Sequence, residues 1–314
     1  MIARYVHSRY VQSMSAMSTV VTIQIVDWDA SGAEHGACEA VVTQAMDWFS
    51  QVETTCSRFD TTSELRGLAT RVGVPVTVSP MLFQALQFAL AVADESDGAF
   101  DPTIGRQMES LGFNRSHRDD RRVMSPFDNA PVSFRDVMLD AEQQTVCLTR
   151  PVAFDLGAVA KGLAIDLAAR ELAAFANVAI DAGGDQYFRG RNAHDEPWSV
   201  GIRHPRAHDR TITTLRVTDR AVCTSGDYER VLPPQSGDGP AVHHLRDART
   251  GATAAALASV TVLAPTAMVA DALATAAFAL GPDDGRALLA RHGVDALLIT
   301  PALECLTVGT LPYA

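Results

Sequence analysis

Lysine is almost missing from these 314 residues: of 26 Lys and Arg, only position 161 is Lys. Arginine serves wherever else positive charge is placed. A lone Lys therefore marks a position that needs a compact ammonium rather than a planar guanidinium. Excess positive charge is missing too. The net charge of -11 excludes non-specific nucleic-acid binding, which needs clustered Lys and Arg against phosphates. It leaves room for a small phosphorylated ligand in a locally basic pocket. The five cysteines show no C-x-x-C spacing, which excludes a zinc knuckle or a dense disulfide framework and predicts reduced thiols. No apolar run reaches the roughly 18–20 residues of a membrane helix. The longest candidate, 268–280, is broken by Asp271. The first residues hold early arginines but no apolar stretch of signal-peptide length. These absences predict a soluble, cytoplasmic protein with no stable membrane insertion.

What is present reads as a mixed chain. Residues 1–16 are expected to be a flexible N-terminal arm, and 17–314 one domain. The β-branched run 19–26 predicts a strand. Helical spacing of apolar residues appears over 37–52, 80–94, 161–175, 268–280 and 285–292. Strands are expected at 137–139, 145–148, 177–182, 198–202, 212–217, 221–224, 259–262 and 296–299. Asp-Gly and Asp-Pro make 96–105 a loop, the charge run 114–122 reads as a solvated loop, and 233–241 as an exposed loop tip. Strands outnumber helices without alternating regularly with them, so the fold class is α+β rather than a doubly wound sheet.

Three segments carry chemistry. Lys161 lies among Gly157, Ala158, Ala160 and Gly162, and helical spacing follows it directly. A cation at a helix start opposes the macrodipole unless an anion is also there, and a phosphate would resolve that conflict. Neither the P-loop pattern nor the Rossmann glycine pattern is present. In the second segment, Asp271 and Thr275 stand four apart on an otherwise apolar helix, so both oxygens share one face. A carboxylate, a hydroxyl and a backbone carbonyl together suit Mg²⁺. The third segment is histidine-bearing. His204 and His208 have helical spacing, but Pro205 argues against a helix and hence against a zinc site. Of His243 and His244, either one is placed to face a cleft.

Seven segments taken in order resemble the FAD:protein FMN transferase family, the ApbE-like flavin transferases: CSRFDTTSEL, SDGAFDPTIG, DLGAVAKGLAID, VAIDAGGD, AVCTSGDYER, HHLRDARTG and ASVTVLAPTAMVADALATAAFALG. The resemblance implies a single α+β domain related to tunnelling-type β-sheet folds. It implies FAD as substrate, Mg²⁺ as cofactor, and transfer of FMN to a Ser or Thr of an acceptor protein with release of AMP. Residue by residue, Ala99, Phe100 and Asp101 match the loop against the flavin nucleotide, and Asp155 and Lys161 match FAD contacts. Ala158 matches a backbone metal ligand, with Asp271 and Thr275 as the other two. His244 matches a histidine beside the reacting phosphate, Met17 the segment covering the isoalloxazine, and Tyr228 a position near the same cleft. Lys161 and His244 are the candidate catalytic residues.

Two departures bear on loop shape. Ser18 stands where the family usually has Gly, and Ala248 where it usually has Pro. The absence of an export signal favours a cytoplasmic acceptor. Two other functions use the same site: an FAD pyrophosphatase that gives FMN and AMP, and a non-catalytic FAD-binding protein.

Overall fold

The computed structural model describes residues 9–26, 32–116, 120–128, 130–232 and 242–314. The chain opens with the hairpin β1 (Arg9–Ala16) and β2 (Thr19–Val26), followed by α1 (Gly32–Cys56) and α2 (Glu64–Leu68). Next come β3 (Val76–Thr77), α3 (Pro80–Glu95) and α4 (Gly105–Leu111), then β4 (Val137–Asp140) and β5 (Thr145–Leu148). Helix α5 (Gly157–Glu171) leads into β6 (Asn177–Ala182), β7 (Asp185–Arg189), β8 (Trp198–His204), β9 (Ala207–Val217) and β10 (Arg220–Gly226). Short strands β11 (Val231–Leu232), β12 (Val242–His243), β13 (Arg246–Asp247) and β14 (Ala252–Thr253) precede β15 (Ser259–Ala264). The chain closes with α6 (Ala267–Leu280), α7 (Pro282–Arg291), β16 (Asp295–Ile299) and β17 (Cys305–Val308). The fold is α+β, as expected. The expected loop tip at 233–241 lies outside the described residues.

Eight strands form one sheet in the order β1-β2-β6-β7-β10-β15-β16-β17, with every pairing antiparallel. Alternation along each strand divides the side chains between two cores. In β16, Ala296 and Leu298 face the helices, whereas Leu297 and Ile299 face the β8–β9 hairpin. In β15, Val260, Val262 and Ala264 join the helical core and Leu263 the other, in a strand buried along its whole length. Helices α1, α3, α5 and α6 cover one face of the sheet, and Trp198, Val200 and Ile202 of β8 cover part of the other.

Residues 9–16 correct the expected arm: they pair along their whole length with β2, from Arg9 opposite Val26 to Ala16 opposite Thr19. The connecting Met17–Ser18 turn has φ of 51° and 65°. Two central residues with positive φ make the turn type that matches hairpin twist, and Gly adopts it with least strain. This accounts for a Gly preference at position 18, where this chain has Ser.

Helix starts are set by side chains that accept backbone N–H bonds. Ser79 Oγ accepts from Leu82 N at 3.2 Å and Pro80 sits in the first turn of α3. Helix α6 has no cap of its own. Asp166 of α5 supplies it, accepting from Ala267 N at 2.7 Å and Met268 N at 3.0 Å. The two helices touch backbone to backbone at Gly162, where a Cβ would lie 2.5 Å from both Ala267 O and Met268 Cα. Gly162→Ala must push the helices apart, with an expected loss of about 1–3 kcal/mol from overpacking. Since α6 carries Asp271, activity should fall with stability. A denaturant midpoint and a transfer rate that both match wild type would refute this contact.

Candidate active site

One cavity of about 750 Å³ opens beside the sheet, within the size range of ligand sites. It collects Met17, Ala99, Phe100, Asp101, Asp155 and Ala158, and also Lys161, Tyr228, His244, Asp271 and Thr275. Every site residue named from the resemblance therefore lines this one space. The β1–β2 turn forms one wall beside the β6–β7 turn. Gly183 and Gly184 of the latter have φ of 68° and 95°, and a Cβ on Gly183 would meet Thr19 Oγ1 at 2.3 Å.

The loop before α4 is held by its own carboxylate. Asp101 Oδ1 accepts from Thr103 N and Oγ1 at 2.8 and 2.7 Å, while Oδ2 accepts from Phe134 N at 2.9 Å. Both oxygens are engaged inside the protein, so Asp101 shapes the wall. The Ala248 N–H donates to Ala99 O at 3.0 Å, tying the β13–β14 turn to this loop with a bond that Pro at 248 could not make.

Asp155 meets Arg58, with Nε 3.0 Å from Oδ2, and accepts from Gly157 N at 2.9 Å. Burial pushes its pKa up, but Arg58 and the Gly157 N–H outweigh it and hold the carboxyl below its ordinary value. Asp155 is ionised and already paired. Arg58 also stacks over the Phe59 ring, 4.1 Å from its centroid.

Helix α5 begins at Gly157, four residues before the expected start, which puts Lys161 in its second turn. The conflict with the macrodipole is resolved within the chain: the ammonium binds Asp185 Oδ2. Asp185 is buried, and its other oxygen accepts from Thr224 N at 3.3 Å. The ammonium also bears on Asp271, opposing the burial that raises that carboxyl's pKa. Asp271 is 5% exposed, and its Oδ2 has no hydrogen-bond partner among the described residues. An α-helix pairs the Gly162 N–H with the Ala158 carbonyl four residues back. Here that N–H also donates toward the Asp271 carboxylate. One turn along α6, Thr275 Oγ1 lies 2.9 Å from Ser225 Oγ.

Of the two adjacent histidines, His244 lines the cavity, whereas His243 packs edge-on to Phe278 at 5.9 Å. His244 Nδ1 lies 3.1 Å from Glu229 O. A carbonyl only accepts, so Nδ1 carries the proton and Nε2 keeps a lone pair. Burial, helped by the Arg230 charge, lowers the pKa of His244 to about 3. Tyr228 packs against the bare backbone of Gly226, and burial raises its hydroxyl to about 12.

Sequence reasoning did not single out Arg58, Asp185, Ser225, Arg230 or Arg246, all of which line the cavity. Arg58 and Asp185 lie inside segments that carried the resemblance, but only tertiary contact reveals their partners. Among the described residues no three His, Cys, Asp or Glu gather as a metal cage, so a metal here would be held by one carboxylate and neutral oxygens. No described helix is long and apolar enough to cross a membrane.

Known proteins share both the sequence and the architecture. The chain is 32% identical over 313 residues to an FAD:protein FMN transferase of Treponema pallidum (strain Nichols), covering 93% of this chain and 84% of that one. It is 29% identical to the FAD:protein FMN transferase of Salmonella typhimurium (strain LT2), over 90% of this chain and 82% of that one. The crystal structure of the ApbE protein of Thermotoga maritima superposes with a TM-score of 0.81 at 28% identity, covering 96% and 97% of the two chains. The flavin transferase ApbE from Vibrio cholerae has the same fold, with a TM-score of 0.79 at 23% identity and 97% of each chain covered. The family model described as "ApbE family" matches residues 17–298. With that match running through every wall of the cavity, the chain belongs to the ApbE family.

Proposed function

We propose that this protein transfers FMN from FAD to a Ser or Thr hydroxyl of an acceptor protein, in a magnesium-dependent reaction that releases AMP. The observation that carries the reading is Asp271 Oδ2, buried at the cavity without a hydrogen-bond partner among the described residues. An unpaired buried carboxylate oxygen is costly, and a cation in the cavity relieves that cost. The Asp271 carboxylate, the Thr275 hydroxyl and the Ala158 carbonyl make an all-oxygen set that fits Mg²⁺, a hard cation that keeps several waters and substrate phosphates. When bound there, Mg²⁺ supplies positive charge against the pyrophosphate and the departing AMP. The names of the Treponema and Salmonella relatives support the same activity.

In this reading the acceptor hydroxyl oxygen bonds to the FMN-side phosphorus. The bond from that phosphorus to the bridging oxygen breaks, and AMP leaves. His244 takes the hydroxyl proton on Nε2, the nitrogen its Nδ1–H···O=C bond leaves free. Ala99 and Phe100 hold the nucleotide from one side, and Met17 covers the flavin. The free cysteines, three of them buried, fit a reducing, cytoplasmic setting.

His244→Gln should lower kcat by about 10²-fold, the low end for a general base because burial and the Arg230 charge make Nε2 weakly basic, with little change in KM for FAD. The base is lost only when pH falls through about 3, so His244 gives the free enzyme no acid limb between pH 5 and 7. A steep loss of kcat/KM in that window that disappears in His244→Gln would assign it a different pKa and role.

The whole reading is tested by incubating the protein with FAD, Mg²⁺ and a peptide carrying a Ser/Thr-Gly-Ala-Thr motif. Mass spectrometry should find an FMN adduct and chromatography should find AMP. Free FMN without adduct would replace the transferase with an FAD pyrophosphatase, and intact FAD would leave only a binding protein.

A further inference from the structure

Six cationic side chains line the cavity among the described residues, and their charges are not equally available. Arg58 is held by Asp155 and Lys161 by Asp185. Arg115 pairs with Asp120 at 2.6 Å, and Arg203 with Glu229 at 2.9 Å. Arg230 and Arg246 remain, and neither has a carboxylate partner among the described residues.

Arg246 is half-buried in β13 and held in place by neutral oxygens. Nη1 donates to Thr253 Oγ1 at 2.8 Å and Nη2 to the Gly251 carbonyl oxygen. Its Nε is buried with no acceptor among the described residues. The guanidinium is thus fixed at the cavity wall with its charge uncompensated, and burial pulls its pKa below the ordinary value. Arg230 follows the end of β10 in the left-handed region, with φ of 44°, a conformation that non-glycine residues seldom take. It is exposed and lines the same cavity as Asp155, His244 and Asp271.

Guanidinium groups bind phosphate oxygens through charge-assisted N–H bonds. Two uncompensated guanidiniums lining one cavity match a ligand that carries two anionic phosphates. We propose that Arg230 and Arg246 form the anion subsite that receives the pyrophosphate of a dinucleotide, the charge of Lys161 being cancelled by Asp185. This deepens the transferase reading and rests on it for the identity of the dinucleotide. It changes the role of Lys161, from phosphate contact to support for the carboxylates around it.

The test uses two partial ligands in metal-free buffer: ADP, which has the pyrophosphate and no flavin, and riboflavin, which has the flavin and no phosphate. Arg230→Gln and Arg246→Gln should each weaken ADP binding by about tenfold or more, with riboflavin binding held within about twofold. Arg246→Lys, which keeps the charge, should recover part of the ADP affinity if Arg246→Gln folds poorly. ADP affinity equal to wild type in both Gln variants would overturn the subsite, as would parallel losses of ADP and riboflavin in Arg230→Gln. Arginine-dependent ADP binding by a protein that makes neither adduct nor AMP from FAD would keep the subsite and sink the transferase. FMN transfer by wild type, with ADP binding indifferent to both substitutions, would sink the subsite alone.

Discussion

Asp271→Ala is expected to abolish FMN transfer while leaving the protein at least as stable as wild type. The two halves of that expectation have one cause. Asp271 sits on a helix that is otherwise apolar, and burial raises its pKa despite the opposing Lys161 ammonium and Gly162 N–H. A raised carboxyl pKa means that the folded state disfavours the charge. Its contribution to stability therefore falls as pH rises through the folded value, and replacement by Ala removes that cost. A carboxylate kept for structure would behave in the opposite way. Activity should drop by at least about 10³-fold, because the carboxylate that would hold Mg²⁺ against the pyrophosphate is lost. A second measurement avoids turnover: Mg²⁺ should raise the melting temperature of wild type, since a ligand of the folded state stabilises it, and should do nothing for the variant. Retained transfer with an unchanged magnesium response would remove Asp271 from the site.

Local patterns made several of these features readable from the sequence. The β-branched run predicted β2 to the residue, and apolar spacing located α3 and α6 within a residue at each end. The i,i+4 step from Asp271 to Thr275 required only that α6 be a helix. The failures have tertiary causes. Strand β1 is an edge strand with polar alternation and one neighbour, joined by a Met-Ser turn that carries none of the Asn-Gly or Asp-Gly signals of a tight hairpin. The start of α5 was displaced because Gly157 and Gly162 look like breakers. Gly162 is there for its missing Cβ, which allows α6 to approach. Arg58 and Asp185 could not be read, because their partners lie 97 and 24 residues away on other elements. Pairing across such distances leaves no period in the sequence.

The lone lysine gives the sharpest test of how charge is arranged here, because its ammonium binds one buried carboxylate and bears on a second. Lys161→Met leaves Asp185 buried without its cation, a change expected to cost about 3–5 kcal/mol. Adding Asp185→Asn should return much of that stability, since neutralising both partners removes the uncompensated charge. The double-mutant cycle should then show a coupling of about 1–3 kcal/mol. Lys161→Arg is a separate question of shape. The guanidinium is wider than an ammonium, and residue 161 is followed at once by the backbone contact between α5 and α6. Transfer should therefore fall by about tenfold or more despite the retained charge, because a 1.4 kcal/mol misfit is already tenfold. Wild-type turnover in Lys161→Arg would reduce the single lysine to an accident of composition. If instead the paired substitution restores stability and leaves ADP binding intact, Lys161 acts by balancing Asp185 beside Asp271. The pyrophosphate then belongs to the arginines.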